Sequence, residues 1–167
     1  MKKQTKVFVA MFVICAIVSS NVLMVGATSS REKVLKKVSE YNQLLTKEQE
    51  IVYEVGKEVY KAKINNKVEN EIPQNIYKQI DRLAKFSKEA RAYNETLAYQ
   101  SLERQYMSGI VNIIDNLMNA YNALLSYYYA TDYEDAFNES GVFYHYLTYA
   151  SVTNNWLEKM IERSSKE

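Results

Sequence analysis

The chain has 167 residues, with 21 Lys and Arg against 20 Asp and Glu, one His, one Cys and 15 Tyr. So even a charge balance leaves no basic footprint for nucleic acid, and a single thiol excludes a disulfide framework or a cysteine-built metal site. Four glycines and one proline offer few places to turn, which predicts long helices.

The first element is an export segment. Lys2, Lys3 and Lys6 precede an apolar run from Val7 to Val18, and Val25, Gly26 and Ala27 close it. That order of positive, apolar and small residues predicts a secretory signal peptide over residues 1–27, cleaved after Ala27. The alternative is an uncleaved membrane anchor. Val22, Leu23 and Met24 prolong the apolar character toward the roughly 20 residues a span needs, whereas Ser19, Ser20 and Asn21 interrupt it. Cys15 lies inside this segment behind Ile14 rather than a small residue, so lipid attachment is not expected. Cleavage leaves residues 28–167, a stretch of 140 (167 − 27), sized for a single domain held together by packing alone. It carries 18 basic groups (21 − 3) against 20 acidic. The charge is uneven: residues 108–167 hold only 3 basic groups against 8 acidic, together with 8 of the 15 tyrosines.

Ser29-Ser30-Arg31-Glu32 has the spacing of a capping box and predicts a helix start. From there a 4,3 stripe runs through Val34, Val38, Tyr41, Leu45, Glu48, Val52, Val55, Val59 and Ala62, with Leu44 and Ile51 widening the apolar face. Such spacing marks a helix lying along a partner helix, in the manner of a coiled coil. Glu48 is its one charged member. It reads either as a polar specificity device or pocket carboxylate, or as a residue whose stem packs while its head reaches water at the stripe's edge.

Asn65-Asn66 begins the first turn, and Pro73 suits the first position of a second helix. That helix carries Ile76, Ile80, Leu83, Ser87, Ala90, Asn94 and Leu97, a seam weakened by small and polar residues. A stronger stripe of Ile110, Ile114, Leu117, Tyr121, Leu124 and Tyr128 follows one residue out of phase, a rotation of roughly 100°. Ser108-Gly109 is the natural place for a kink or break, and the spacing alone leaves one kinked helix and two helices both open. Thr131 or Asp132 can cap the last helix, with Glu134 and Asp135 in its first turn and a possible interruption at 138–141. There Phe143, Leu147, Ala150, Asn154, Leu157 and Ile161 share one face at 4,3 spacing. The expected fold is all-α: an elongated antiparallel bundle of three to four long helices after the signal peptide.

The last helix has a second apolar face. Within Val142–Tyr149, read VFYHYLTY, His145 and Tyr149 lie four apart on the side away from Phe143, and Val142, Val152 and Trp156 join them. One reading buries this helix between neighbours; the other leaves the second face open for a partner, since Tyr and Trp are enriched in binding surfaces. The candidate partner-binding residues are therefore His145, Tyr149, Val152 and Trp156. His145 alone cannot build a zinc site, and Asp132, Glu134 and Asp135 lack calcium-loop spacing. Asn94-Glu-Thr96 and Asn138-Glu-Ser140 match the glycosylation pattern, a three-residue match that chance also supplies. No nucleophile-elbow, P-loop or dinucleotide motif occurs.

The functional expectation is an exported helical-bundle interaction protein, acting outside the cytoplasmic membrane. It would engage a protein partner or a second copy of itself, with no catalytic, cofactor-binding or metal residues, no nucleic acid, and membrane contact only through an uncleaved signal segment. The rival from another class is a bundle that binds a small apolar molecule or a glycan through its Tyr- and Trp-rich C-terminal half. An enzyme using His145 with an acidic residue is a third reading.

Overall fold

A computed structural model describes residues 2–66 and 70–164, with side chains from Arg31 onward. It is all-α, with four helices in the order α1 (Lys2–Ile64), α2 (Glu71–Glu95), α3 (Leu102–Tyr129) and α4 (Tyr133–Ser164). Its contacts divide the chain into two compact units, residues 1–37 and 38–167. In the first, the helical backbone passes Ser29 without a helix start, so the capping-box spacing begins nothing there. The signal segment, residues 1–27, lies outside the residues whose side chains are described. Among the described residues no helix is long and apolar enough to cross a membrane.

The second unit is the bundle. Neighbouring helices run antiparallel. Tyr41 packs edge-on to Phe86 at 4.8 Å between α1 and α2, and Asn94 donates to Ser108 at 3.2 Å between α2 and α3. Between α3 and α4 the hydroxyls of Tyr106 and Ser164 meet at 2.8 Å, and between α1 and α4 Tyr60 donates to Ser140 at 3.0 Å. α1 and α3 run parallel to one another: Glu48 accepts from the Tyr121 hydroxyl at 3.2 Å, and Lys63, fifteen residues further along α1, donates to the Tyr128 carbonyl at 3.1 Å and also to that of Ala130. Lys63 thereby satisfies the free carbonyls ending α3, where a cation is favourable.

The 4,3 stripe of α1 is the buried one, with every member from Val34 to Ala62 under 9% exposed. Leu44 and Ile51 do not extend it; they remain at the surface. Glu48 departs from the expectation that its head reaches water. It is buried, paired with Arg82 of α2 and bonded to Tyr121 of α3. A carboxylate can stay there because both partners approach it from different helices.

α2 begins two residues before Pro73, whose missing N–H falls among first-turn amides that have no helical partner anyway. Its weak seam is closed by polar contacts: Ser87 and Ala90 are buried, and Arg91 bonds Ser87 at 3.1 Å while pairing with Asp115 of α3.

The phase slip between α2 and α3 is a break between two helices. It falls at residues 96–101, earlier than Ser108-Gly109. Gln100 takes a positive φ of 63°, and Ser101 caps α3 by accepting from the Arg104 amide at 3.1 Å. Gly109 sits inside α3 for a different reason. A Cβ there would lie 3.0 Å from Leu157 Cδ2, so the absence of a side chain lets α4 approach. α4 likewise runs through 138–141 uninterrupted. Its start is capped by Asp132, which accepts from the Asp135 amide at 2.8 Å.

Candidate functional site

α4 has an inner and an outer face. Phe143, Ala150, Asn154 and Leu157 are buried on the inner one. Against α1, Phe143 closes on Gly56, Ser151 donates to Gln49 at 3.0 Å, and Asn154 donates to Thr46 at 2.9 Å. Against α3, Leu157 covers Gly109. These contacts fix the rotation of the helix, and everything roughly 180° away is turned outward.

What points outward is the second apolar series. Val142, His145, Tyr149, Val152 and Trp156 follow one another at spacings of 3, 4, 3 and 4 residues, the step of a coiled-coil seam. All five are exposed; Tyr149 is 54%, Val152 60% and Trp156 46% accessible. The four residues singled out from the sequence, His145, Tyr149, Val152 and Trp156, are thus brought together on one stripe. His145 stacks edge-on against Tyr149 at 4.6 Å and contacts the Tyr146 ring at 5.6 Å. Among the described residues no ion pair joins it to a carboxylate. The outer face of α4 thus carries large apolar groups at regular helical spacing in water.

A second feature went unnoticed in the sequence. Where the C-terminal ends of α1 and α3 meet the start of α4, Tyr60, Lys63, Tyr127, Tyr129, Tyr133 and Phe137 line an open cleft of about 850 Å³. Tyr60 is its hub: its ring lies 4.5 Å from Tyr127, 6.3 Å from Phe143 and 6.2 Å from Tyr144. Burial raises the Tyr60 and Tyr127 phenols above their ordinary pKa, an effect the Ser140 hydrogen bond partly offsets at Tyr60. The lone signal in the sequence was the run Tyr127-Tyr128-Tyr129 with Tyr133 and Phe137 soon after, and nothing there announced Tyr60, which is 67 residues upstream of Tyr127.

Among the described residues the strongest perturbation falls on Tyr121, at the buried Glu48 node. Burial first, then the neighbouring Glu48 carboxylate, drive the Tyr121 phenol far above its ordinary range. Tyr121 is wholly enclosed, and the node ties α1, α2 and α3 together; on its outer side Glu48 and the half-exposed Arg82 line a small open cleft of about 260 Å³ with Leu83 and Phe86. Among the described residues no group of three His, Cys, Asp or Glu side chains is placed to hold a metal ion.

Comparison with known proteins returns no matching family model, no matching curated protein and no matching solved structure.

Proposed function

We propose that this chain is exported under the direction of residues 1–27 and works outside the cytoplasmic membrane as a non-catalytic helical-bundle interaction protein, elongated along its helices. Its docking surface is the outer face of α4, and its partner is a protein helix. The observation that carries the reading is the double patterning of α4: a buried 4,3 seam on one side and an exposed 3,4 seam of Val142, His145, Tyr149, Val152 and Trp156 on the other. A helix needs only one such seam to join its own bundle; a second, solvent-facing one has no internal use. Trp156 and Tyr149 supply the large rings that anchor interfaces. Nucleic acid is not a partner on this reading, and a membrane is one only if the signal segment stays attached.

The test is a photoreactive residue in place of Tyr149, with a control at Glu158 outside the stripe, in cells that produce and export the full chain. Protein adducts should form from position 149 and not from 158. If neither position yields an adduct, the outer face of α4 has no protein partner and the reading fails.

The aromatic cleft supports a second reading, a small apolar or glycan ligand stacked on Tyr129, Tyr133 and Phe137. Tyr133 and Phe137 stand exposed with their rings nearly parallel at 6.4 Å, as a stacking platform requires. Titration of aromatic glycosides or sugars against tyrosine fluorescence, with Phe137→Ala as control, checks it.

A further inference from the structure

The outer stripe of α4 has an internal symmetry that identifies its partner. We infer that it pairs with the same stripe of a second copy of this chain, antiparallel, about a two-fold axis that crosses the outer face at the level of Leu147 along the helix; this rests on the reading of that face as a docking surface. Counting outward from Leu147, His145 and Tyr149 stand two residues away on either side, Val142 and Val152 five, Asn138 and Trp156 nine, and Asp135 and Lys159 twelve; of these pairs only Asn138 and Trp156 are mismatched in character. When two copies lie antiparallel in this register, Val142 meets Val152 of the second copy and His145 meets its Tyr149, both within a dry central strip. Residues twelve positions out lie about 18 Å from the axis. There Asp135, backed by Glu134, comes opposite Lys159, backed by Arg163, and the two-fold axis repeats the match at the other end.

The charges make the direction one-sided. Glu134, Asp135, Lys159 and Arg163 are all exposed; the two acids lie in the first turn of α4 and Arg163 in its last, where exposed Glu158 and Glu162 stand beside the two bases but off the seam positions that Asp135, Lys159 and Arg163 continue. A parallel pair would set acid beside acid and base beside base, whereas the antiparallel pair turns all of these into opposite-sign neighbours. A two-fold interface must present one patch that complements itself, and Asp135 and Lys159 do so in sign.

The experiment uses the full chain carrying Cys15→Ser, so that no native thiol remains. One copy bears Asp135→Cys and a co-produced copy bears Lys159→Cys; mild oxidation should give a covalent mixed dimer in at least tenfold excess over either like-with-like dimer. Dominant 135-to-135 or 159-to-159 products mean a parallel pair, and no dimer product means no pairing; either result overturns the inference. A second measurement uses His145→Cys with Tyr149→Cys as the reporter. Adding Lys159→Glu and Arg163→Glu to both copies should cut its cross-link at least tenfold, and adding Glu134→Lys and Asp135→Lys as well should restore it. A cross-link indifferent to these reversals also overturns the register. Adducts from the photoreactive residue at 149 that contain other proteins but never this chain would sink the self-pairing while leaving the docking face intact.

Discussion

α3 and α4 pack against each other, yet thirteen residues of α3 are buried against four of α4, although α4 is the longer helix. The difference does not come from a lack of apolar side chains, since α4 leaves Val142, Tyr144, Tyr149, Val152 and Trp156 in water. It comes from position. α3 is engaged by α1, α2 and α4, so nearly every apolar side chain it carries finds a neighbour; α4 is engaged on one side. Apolar composition therefore measures what a helix could bury, and the number of its neighbours sets what it does bury. What remains is apolar surface left in water.

That contrast can be broken most severely at the inner face of α4. Phe143 is wholly enclosed against α1, and Phe143→Ala should cost about 3–5 kcal/mol in denaturant unfolding. A loss under 1 kcal/mol would mean that α4 does not belong to the core at all.

The next effect sharpens the α3 side. Tyr121→Phe removes the bond to Glu48 and should cost about 1.5–3 kcal/mol near neutral pH. The same site gives a pH signature. The folded chain keeps the Tyr121 proton above pH 10.0, where the unfolded chain releases it. The stability tied to that proton is whole below pH 10.0 and is lost progressively as pH rises beyond it. The wild-type chain should therefore weaken above pH 10, and Tyr121→Phe should flatten that decline. Stability unchanged by pH up to 12 in both proteins would show that Tyr121 is not enclosed.

Two glycines give a smaller and opposite pair of effects. At Gly109 of α3 an added Cβ presses on three atoms of Leu157, so Gly109→Ala should lose about 1–2 kcal/mol even after the gain in helix propensity. At Gly141 of α4 nothing lies within 4 Å, and Gly141→Ala should gain about 0.5–1 kcal/mol. The same sign at both, read from thermal or urea midpoints, would erase the distinction between the two helices.

The smallest expected change is at Trp156. In the monomer Trp156→Ala should alter stability by no more than about 0.5 kcal/mol. Because it is the only tryptophan, its emission should be red-shifted and open to quenchers at low concentration. A blue-shifted, protected emission in a verified monomer would show the outer face to be core.

The sequence by itself determined the helices and most of what they bury. The stripes from Val38 to Ala62 and from Ile110 to Leu124 are the core, because a repeat near 3.5 residues keeps one side of a helix on its neighbour wherever that neighbour lies. It also marked both faces of α4, since two seams on one helix are visible without knowing what covers either. The structure decided three things that the stripes left open. It sealed Glu48, because Arg82 and Tyr121 reach it from helices 34 and 73 residues away. It put the break at residues 96–101, where the cap at Ser101 is a local signal easily overlooked beside a glycine. It made Gly109 a point of close approach, because the atom that excludes a side chain there belongs to Leu157. The first and the last depend on contacts between residues distant along the chain, and periodicity along one helix records which side is apolar, never which neighbour arrives to cover it.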